Sequence, residues 1–497
     1  MRNFLIMLWY GFIYYFLINI IIMLFFFLYF KVQLFSSLNY QKILLNYNSI
    51  FIYTIMYFFL LILILINSLH FEFINIILLF SHSIQLIFNF NNTIFFYNED
   101  VFFTILQVYY YPYIYIFILI TSLSIIYTLS YSIIEFKDFM YYLVLIFLAG
   151  TVLFFTNSII IFFMAYETLL IPSFFILYKY AKTKRSVEAA YLMFFWTQFG
   201  ALFLIILFMY MFLITNSSSF TVIELTYFST FELNFFFIFL IIGFGVKLPI
   251  WPFYGWLPKA HVEASTNFSI FLSGVLVKFA FFGLLKILIT LSIEPTFTFV
   301  YPFLFIGLVD SVFKLFYQID LKKLVAYSTV VEMHWLTICI ISGQSNLLLS
   351  GYCMLISHAL LSTNSFLLVD AIARRFKTRL ITEISGINFL TPKLFLIILL
   401  NLLIFLGFPG TLFFIAEFLF FTFFIDLFPI MAMVSMLLLY LIAPTFFFKS
   451  WMNVIFGYSN FLHKKLTIDL TLSEFIIFSF VIILMMWFSI IWQSFLF

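Results

Sequence analysis

The sequence predicts an all-α polytopic membrane protein. Three observations carry this. The 497 residues are 66% hydrophobic and only 9% charged, against about 25% charged in soluble domains. Apolar runs long enough to cross a bilayer, about 20 residues each, recur along the whole chain. The basic residues fall at alternate helix ends.

Apolar runs lie near 4–30, 51–67, 111–131, 140–156, 157–178, 187–214, 234–251, 266–290, 297–317, 323–342, 347–371, 393–424, 427–448 and 474–495. This predicts about fourteen transmembrane helices. A run at 71–90 would be a fifteenth, but Glu72, His82 and Asn89 interrupt it. Let side A be the side reached after 157–178. From Lys137 onward its loops and helix ends hold Lys179, Lys184, Arg185, Lys259, Lys322, Arg374, Arg379, Lys393, Lys449 and Lys464, among others. The side B loops over that range hold none, and Lys286 lies just inside a helix near that side. Side A is therefore the cytoplasm or its organellar equivalent. Fourteen helices also place Lys31 and Lys42 on side A, which favours that count over fifteen.

Two helices are broken. One break is Lys247-Leu248-Pro249, and the other is Gly407-Phe408-Pro409-Gly410, with Glu417 following. A proline removes a backbone N–H and displaces the carbonyl four residues back, here Gly245. Irregular backbone at membrane depth is tolerated where it is buried in protein or lines a cavity. Each break is the fourth helix of a five-helix block. An odd number of helices per block makes the second block inverted, and inverted repeats with matching broken helices mark transporters. The expected organisation is 1–139 N-terminal helices, 140–292 first repeat, 293–448 second repeat, and 449–497 a loop and last helix.

Ionisable residues inside hydrocarbon are costly, about 2.5–3.5 kcal/mol for lysine, and mark function by default. Glu167, in FFMAYETLLIP, has no positive neighbour on its own helix, and Lys247 is its expected partner. Parting such a pair would release a proton. Lys278 is central in its helix with no charge nearby, which suits a proton carrier, whereas Lys286 reads as a snorkelling residue. His358 shares a face with Ser362 and Ser365, as either a hydroxyl-satisfied core histidine or a water-accessible relay. Glu332 and His334 are two residues apart, so at most one is expected to face a path. Glu417 matches Lys247 in its block with opposite sign, either as the end of a charge line or as a cap on the broken helix.

Other chemistries find little support. Cys339 and Cys353 form no CxxC, and the six histidines are scattered. Phosphate-binding glycine motifs are lacking. A net charge of +3 without a basic stripe gives nothing for nucleic acid.

Several stretches together resemble a known family. They are YETLLIP at Glu167, VKLPIWPFYGWLPKAHVEAS, SGVLVKFAFFG at Lys278, DLKKLVAYSTV, SHALLS, ARRFKTRLITEISGI and FIAEF at Glu417. The chain is similar, over about 140–425, to the subunit 4 family of mitochondrial NADH dehydrogenase, respiratory complex I, an antiporter-like membrane subunit. WLPKAHVEA is the most specific of these stretches. The resemblance implies fourteen helices with two inverted five-helix repeats, and proton translocation driven by quinone reduction in other subunits. It implies that Glu167 pairs with Lys247, that Lys278 is the central lysine, that His358 is a relay and that Glu417 ends the proton line. Where the family has a histidine this chain has Glu332, with His334 two positions late. Tyr254 stands where a histidine is common, and Ser265 where a proline is usual.

The resemblance also sets expectations about context. No cofactor is expected on this chain: NADH, FMN, iron–sulfur clusters and ubiquinone would belong to partner subunits. Expected partners are other complex I membrane-arm subunits, including antiporter-like ones, and lipids. The first helix is too long for a signal peptide h-region and no Arg-rich transit peptide precedes it. The expected place is the mitochondrial inner membrane, with synthesis inside the organelle. Two rival readings are a cation/proton antiporter subunit without a redox module, and a scaffold whose charges only fix helix packing.

Overall fold

A computed structural model describes residues 117, 120, 133–180, 183–292, 300–456 and 469–491, all within the compact unit Asp100–Phe497. The expected helices at 4–30, 51–67 and, but for Phe117 and Ile120, 111–131 lie outside the described residues, as does the doubtful run at 71–90. The described residues are helical, with two isolated β-bridges, Ser158–Ser219 and Asp320–Leu380.

The first half comprises α1 (Ile133–Phe155), α2 (Ile159–Lys179), α3 (Lys184–Thr215), α4 (Thr230–Lys247), the short α5 (Trp256–Glu263) and α6 (Thr266–Thr290). The second comprises α7 (Val300–Phe316), α8 (Leu321–Ile341), α9 (Ser345–Phe376), α10 (Pro392–Phe405), α11 (Leu412–Leu427) and α12 (Pro429–Phe456), followed by α13 (Leu472–Ile491). Among the described residues seven helices are long and apolar enough to cross a membrane. Most edges fall within a few residues of the expected ones. The largest difference is α12, which runs to Phe456 rather than ending at 448.

Helix starts follow local chemistry. Thr183 and Ser186 form a reciprocal capping box on α3, and Ser229 and Glu232 form one on α4. Each satisfies backbone N–H groups that a helix start leaves orphaned. Burial then sorts the helices. In their most apolar windows α6 and α8 are 94% buried and α9 is 100% buried, whereas α3, α4 and α12 are 39% buried. The outer helices expose rows such as Phe195, Leu202, Met209 and Leu213. Such rows suit an apolar solvent, so this is a multi-pass membrane protein with α6, α8 and α9 at its centre.

Both expected breaks are present and close the same way. Helix α4 stops at Lys247, and the Ile250 N–H donates to the Gly245 carbonyl at 3.0 Å, taking up the acceptor that Pro249 displaces. Helix α10 stops at Phe405, and the Phe408 N–H donates to the Leu403 carbonyl at 3.1 Å. Gly407 and Gly410 then adopt φ of +69° and +98°, values open to glycine at little cost.

Loops read as belonging to one side meet one another. On side A the Arg379 guanidinium pairs with Asp320 at 2.7 Å and donates to the Val262 carbonyl at 2.9 Å, and Thr183 Oγ1 donates to Glu263 at 3.4 Å. On side B the loop 156–158 pairs with 218–220 through Ile159 N–H to Ser218 O and Phe220 N–H to Asn157 O.

Candidate functional site

At the end of α4 the Lys247 ammonium lies 3.7 Å from Glu167 Oε1 on α2. It also donates to the Tyr166 carbonyl at 3.2 Å and sits 3.4 Å from the centroid of the Tyr166 ring. The other carboxylate oxygen, Glu167 Oε2, accepts from Gln198 Nε2 of α3 at 2.9 Å. The expected pair is therefore formed, and it is held on three sides by a carboxylate, a π face and a carbonyl. Gln198 escaped the sequence reading, although a primary amide in an apolar helix carries the same signal as a buried charge.

Lys278 lies on α6, just past a π-helical segment, Leu272–Leu276. Its ammonium donates to the Ser273 carbonyl within that segment. A π segment breaks the regular pairing of carbonyls and recurs at functional sites. Beside Lys247 is a cavity of about 30 Å³ lined by Tyr166, Ser173, Thr197 and Lys247 together with Leu272, Leu276 and Val277 of α6. A smaller one of about 10 Å³ touches Lys278 and Gly274, and Phe279 borders both. A water needs about 10–15 Å³, so the larger cavity could take about two.

The second half supplies the next groups. His358 Nδ1 of α9 stands 2.8 Å from Glu332 Oε2 of α8, but without hydrogen-bond alignment. Catalytic contacts are often misaligned at rest. Lys278 and Glu332 lie within electrostatic reach of each other, as do Glu332 and Glu417. Glu417 is buried on α11 with Oε2 against Gly407 of the second break, where a Cβ would collide with it. This side chain thus packs on the break, and Thr411, not Glu417, accepts from the Phe414 N–H at the start of α11. Of the polar face His358–Ser362–Ser365, Ser362 donates to the Ala359 carbonyl. Ser365 ties α9 to α10 by accepting from Asn401 at 2.9 Å.

Glu332 and His334 face different partners, as their spacing requires. Glu332 meets His358, whereas His334 Nε2 accepts from the Trp251 N–H at 2.9 Å in the first break. Beside it Tyr254 donates to Asp310 Oδ2, and Lys314 donates to the Tyr254 hydroxyl at 2.5 Å. Burial and the Asp310 carboxylate hold the Tyr254 phenol far above its usual range. Lys286 does not snorkel. It is buried, donates to the Thr156 carbonyl at 2.7 Å and lies 4.7 Å from the Phe220 ring centroid. His261 of α5 is fully buried against Phe366, ring centroids 4.7 Å apart. Burial pushes its imidazole well below the ordinary value, with the Lys322 and Lys278 charges adding to the effect.

The family model for NADH:quinone oxidoreductase/Mrp antiporter transmembrane proteins matches residues 156–443, more than half of the chain. NADH-ubiquinone oxidoreductase chain 4 of Paramecium tetraurelia is 38% identical over 300 residues, which is 60% of this chain and 63% of that one. The protein of the same name from Marchantia polymorpha is 34% identical over 265 residues, 53% of this chain and 54% of that one. The chain thus matches about six-tenths or less of the length of these curated relatives. Among solved structures it resembles a chain of respiratory complex I from Thermus thermophilus, with a TM-score of 0.68 at 19% identity, covering 76% of this chain and 81% of that one. A chain of the Mrp complex from Dietzia sp. DQ12-45-1b gives 0.67 at 14%, covering 76% and 80%. At these identities the structural likeness speaks for the fold.

Proposed function

The chain belongs to the NADH:quinone oxidoreductase/Mrp antiporter transmembrane family, and from that premise we propose that it is a proton-translocating membrane-arm subunit of respiratory complex I. The single observation that carries the reading is the succession of ionisable groups within the apolar helices: the partly buried pair Glu167 with Lys247, then the buried Lys278, Glu332 with His358, and Glu417. A scaffold needs no such succession, because one satisfied pair per helix contact would suffice.

The chemistry is proton transfer alone. With Lys247 charged against Glu167, moving the two apart makes the ammonium a donor. The cavity at Lys247, which Leu276 and Val277 of α6 also line, would let water carry that proton onward toward Lys278. Glu332 and His358 offer an acceptor and a donor in contact, and Glu417 ends the line at the second break. The carboxylate of Glu332 would do the work that the resemblance leads one to expect of a histidine. The fold that goes with this reading has about fourteen helices and two inverted five-helix repeats, 140–292 and 293–448. Its supports are the matching wide turns at the two breaks and their places in each block. The redox centres, with FMN, iron–sulfur clusters and ubiquinone, would sit in partner subunits, and the setting would be the mitochondrial inner membrane. The curated relatives' name favours complex I over a redox-free antiporter.

The test is the native assembly, purified and reconstituted in vesicles. The reading expects flavin and iron–sulfur subunits to co-purify. It expects Lys247→Met and Glu167→Gln to lower proton-coupled quinone reduction about tenfold or more, as loss of an acid–base group does. A complex without redox subunits would point to the antiporter. Full pumping in both assembled variants would leave only the scaffold.

A further inference from the structure

The irregular stretch from Leu248 to Ala264 is tied to the second half by several contacts. The Trp251 N–H donates to His334 Nε2 of α8 at 2.9 Å. Tyr254 OH donates to Asp310 of α7, and Lys314 of α7 donates to that hydroxyl at 2.5 Å and to Asp310 at 2.8 Å. Lys322 of α8 donates to the Ala264 carbonyl at 2.5 Å. The Tyr254 ring stands edge-on to His334, centroids 6.0 Å apart.

These contacts fix the protonation state of His334 by logic alone. A backbone N–H can only donate, so Nε2 is an acceptor and carries no proton. Nδ1 then carries the ring proton and donates to the Val330 carbonyl at 2.8 Å. Both nitrogens are committed and the ring is fully buried, so it has no free lone pair for a proton in transit. Gly307 of α7 makes room: a Cβ there would collide with the His334 ring and with Trp251. Lys247 precedes Trp251 by four residues, and Glu332 precedes His334 by two. One rigid helix therefore presents a proton-line carboxylate on one face and holds the first break with another.

We propose that His334 is a positioning residue, a neutral latch on the Trp251 amide that, with Tyr254, Asp310 and Lys314, seats the first broken segment and so holds Lys247 against Glu167. It is not a proton carrier. The proposal rests on the proton-translocation reading.

Two variants of the intact reconstituted complex separate latch from relay. The carbonyl oxygen of His334→Gln reaches where Nε2 sits, but the amide does not titrate. His334→Leu offers no acceptor. The latch predicts that Gln keeps proton-coupled quinone reduction within about twofold, while Leu lowers it about tenfold or more. It predicts that hydrogen exchange at the Trp251 amide stays slow in Gln and speeds up about tenfold or more in Leu. A Gln variant with a protected amide but lost pumping would overturn it, because titration would then be needed. So would a Leu variant that pumps normally. If Leu does not assemble, Gln decides alone. Lys247→Met is the control: normal pumping there would sink the parent reading, whereas lost pumping there and in Gln would sink the latch only.

Discussion

A lysine ammonium persists away from water only where something answers its charge, and this protein answers each of three differently. Lys247 has a carboxylate, a tyrosine face and a carbonyl. Lys278 has the Ser273 carbonyl in a π segment. Lys286 has the Thr156 carbonyl and phenylalanine rings. Lys247 with Glu167 is a charge pair that movement can part. His261 poses the opposite problem, because its ring is buried with a depressed proton affinity. The unfolded chain takes up a proton near pH 6.5 that the folded chain refuses. Stability is therefore complete above that pH and is lost as pH falls below it, by up to about 1.4 kcal/mol per unit. Thermal inactivation of the detergent-solubilised complex should steepen between about pH 6.5 and 5. His261→Phe, which keeps the stack on Phe366, should flatten that limb; an unchanged limb would place the sensitivity elsewhere.

At the scale of elements, each broken helix combines a wide turn with an ionisable side chain, but the two are held differently. The first is seated from outside, by His334 and by Tyr254 with Asp310 and Lys314. The second is held by glycine geometry, with Gly407 at φ +69° and Glu417 Oε2 packed on it. Gly407→Ala should therefore both strain the backbone, by about 1–3 kcal/mol, and push Glu417 from its place. The expected result is a clear loss of assembled complex on native gels; normal assembly with normal thermal stability would contradict this packing. Both breaks were legible in the sequence, because glycine and proline in an apolar run have few other uses. What seats them was not. Asp310 and Lys314 near a helix end look like ordinary side A charges, and only packing brings Tyr254 between them. Glu332 and His334 illustrate the same limit: spacing separates their faces, but the partner on each face comes from α9 or from the break.

Among the described residues, the most buried helices hold several of the ionisable side chains. Lys278, Glu332 and His358 sit on α6, α8 and α9, and the lipid-suited rows sit on α3, α4 and α12. Hydropathy alone does not sort inner from outer helices, since all are apolar; the polar residues within them do. Loops that the charge count assigns to one side bond to one another. Lys286 was misread because depth along a helix does not reveal which aromatic rings close over its end. Proton passage from the first half to the second through Lys278 is the step on which the proposed function turns. It is tested most directly by the proton-to-electron ratio of the reconstituted native complex carrying Lys278→Met, a change that keeps the stem and removes the charge. The expected result is an assembled complex in which the ratio falls while NADH oxidation by an artificial acceptor is unchanged. An unaltered ratio in that assembled variant would contradict it.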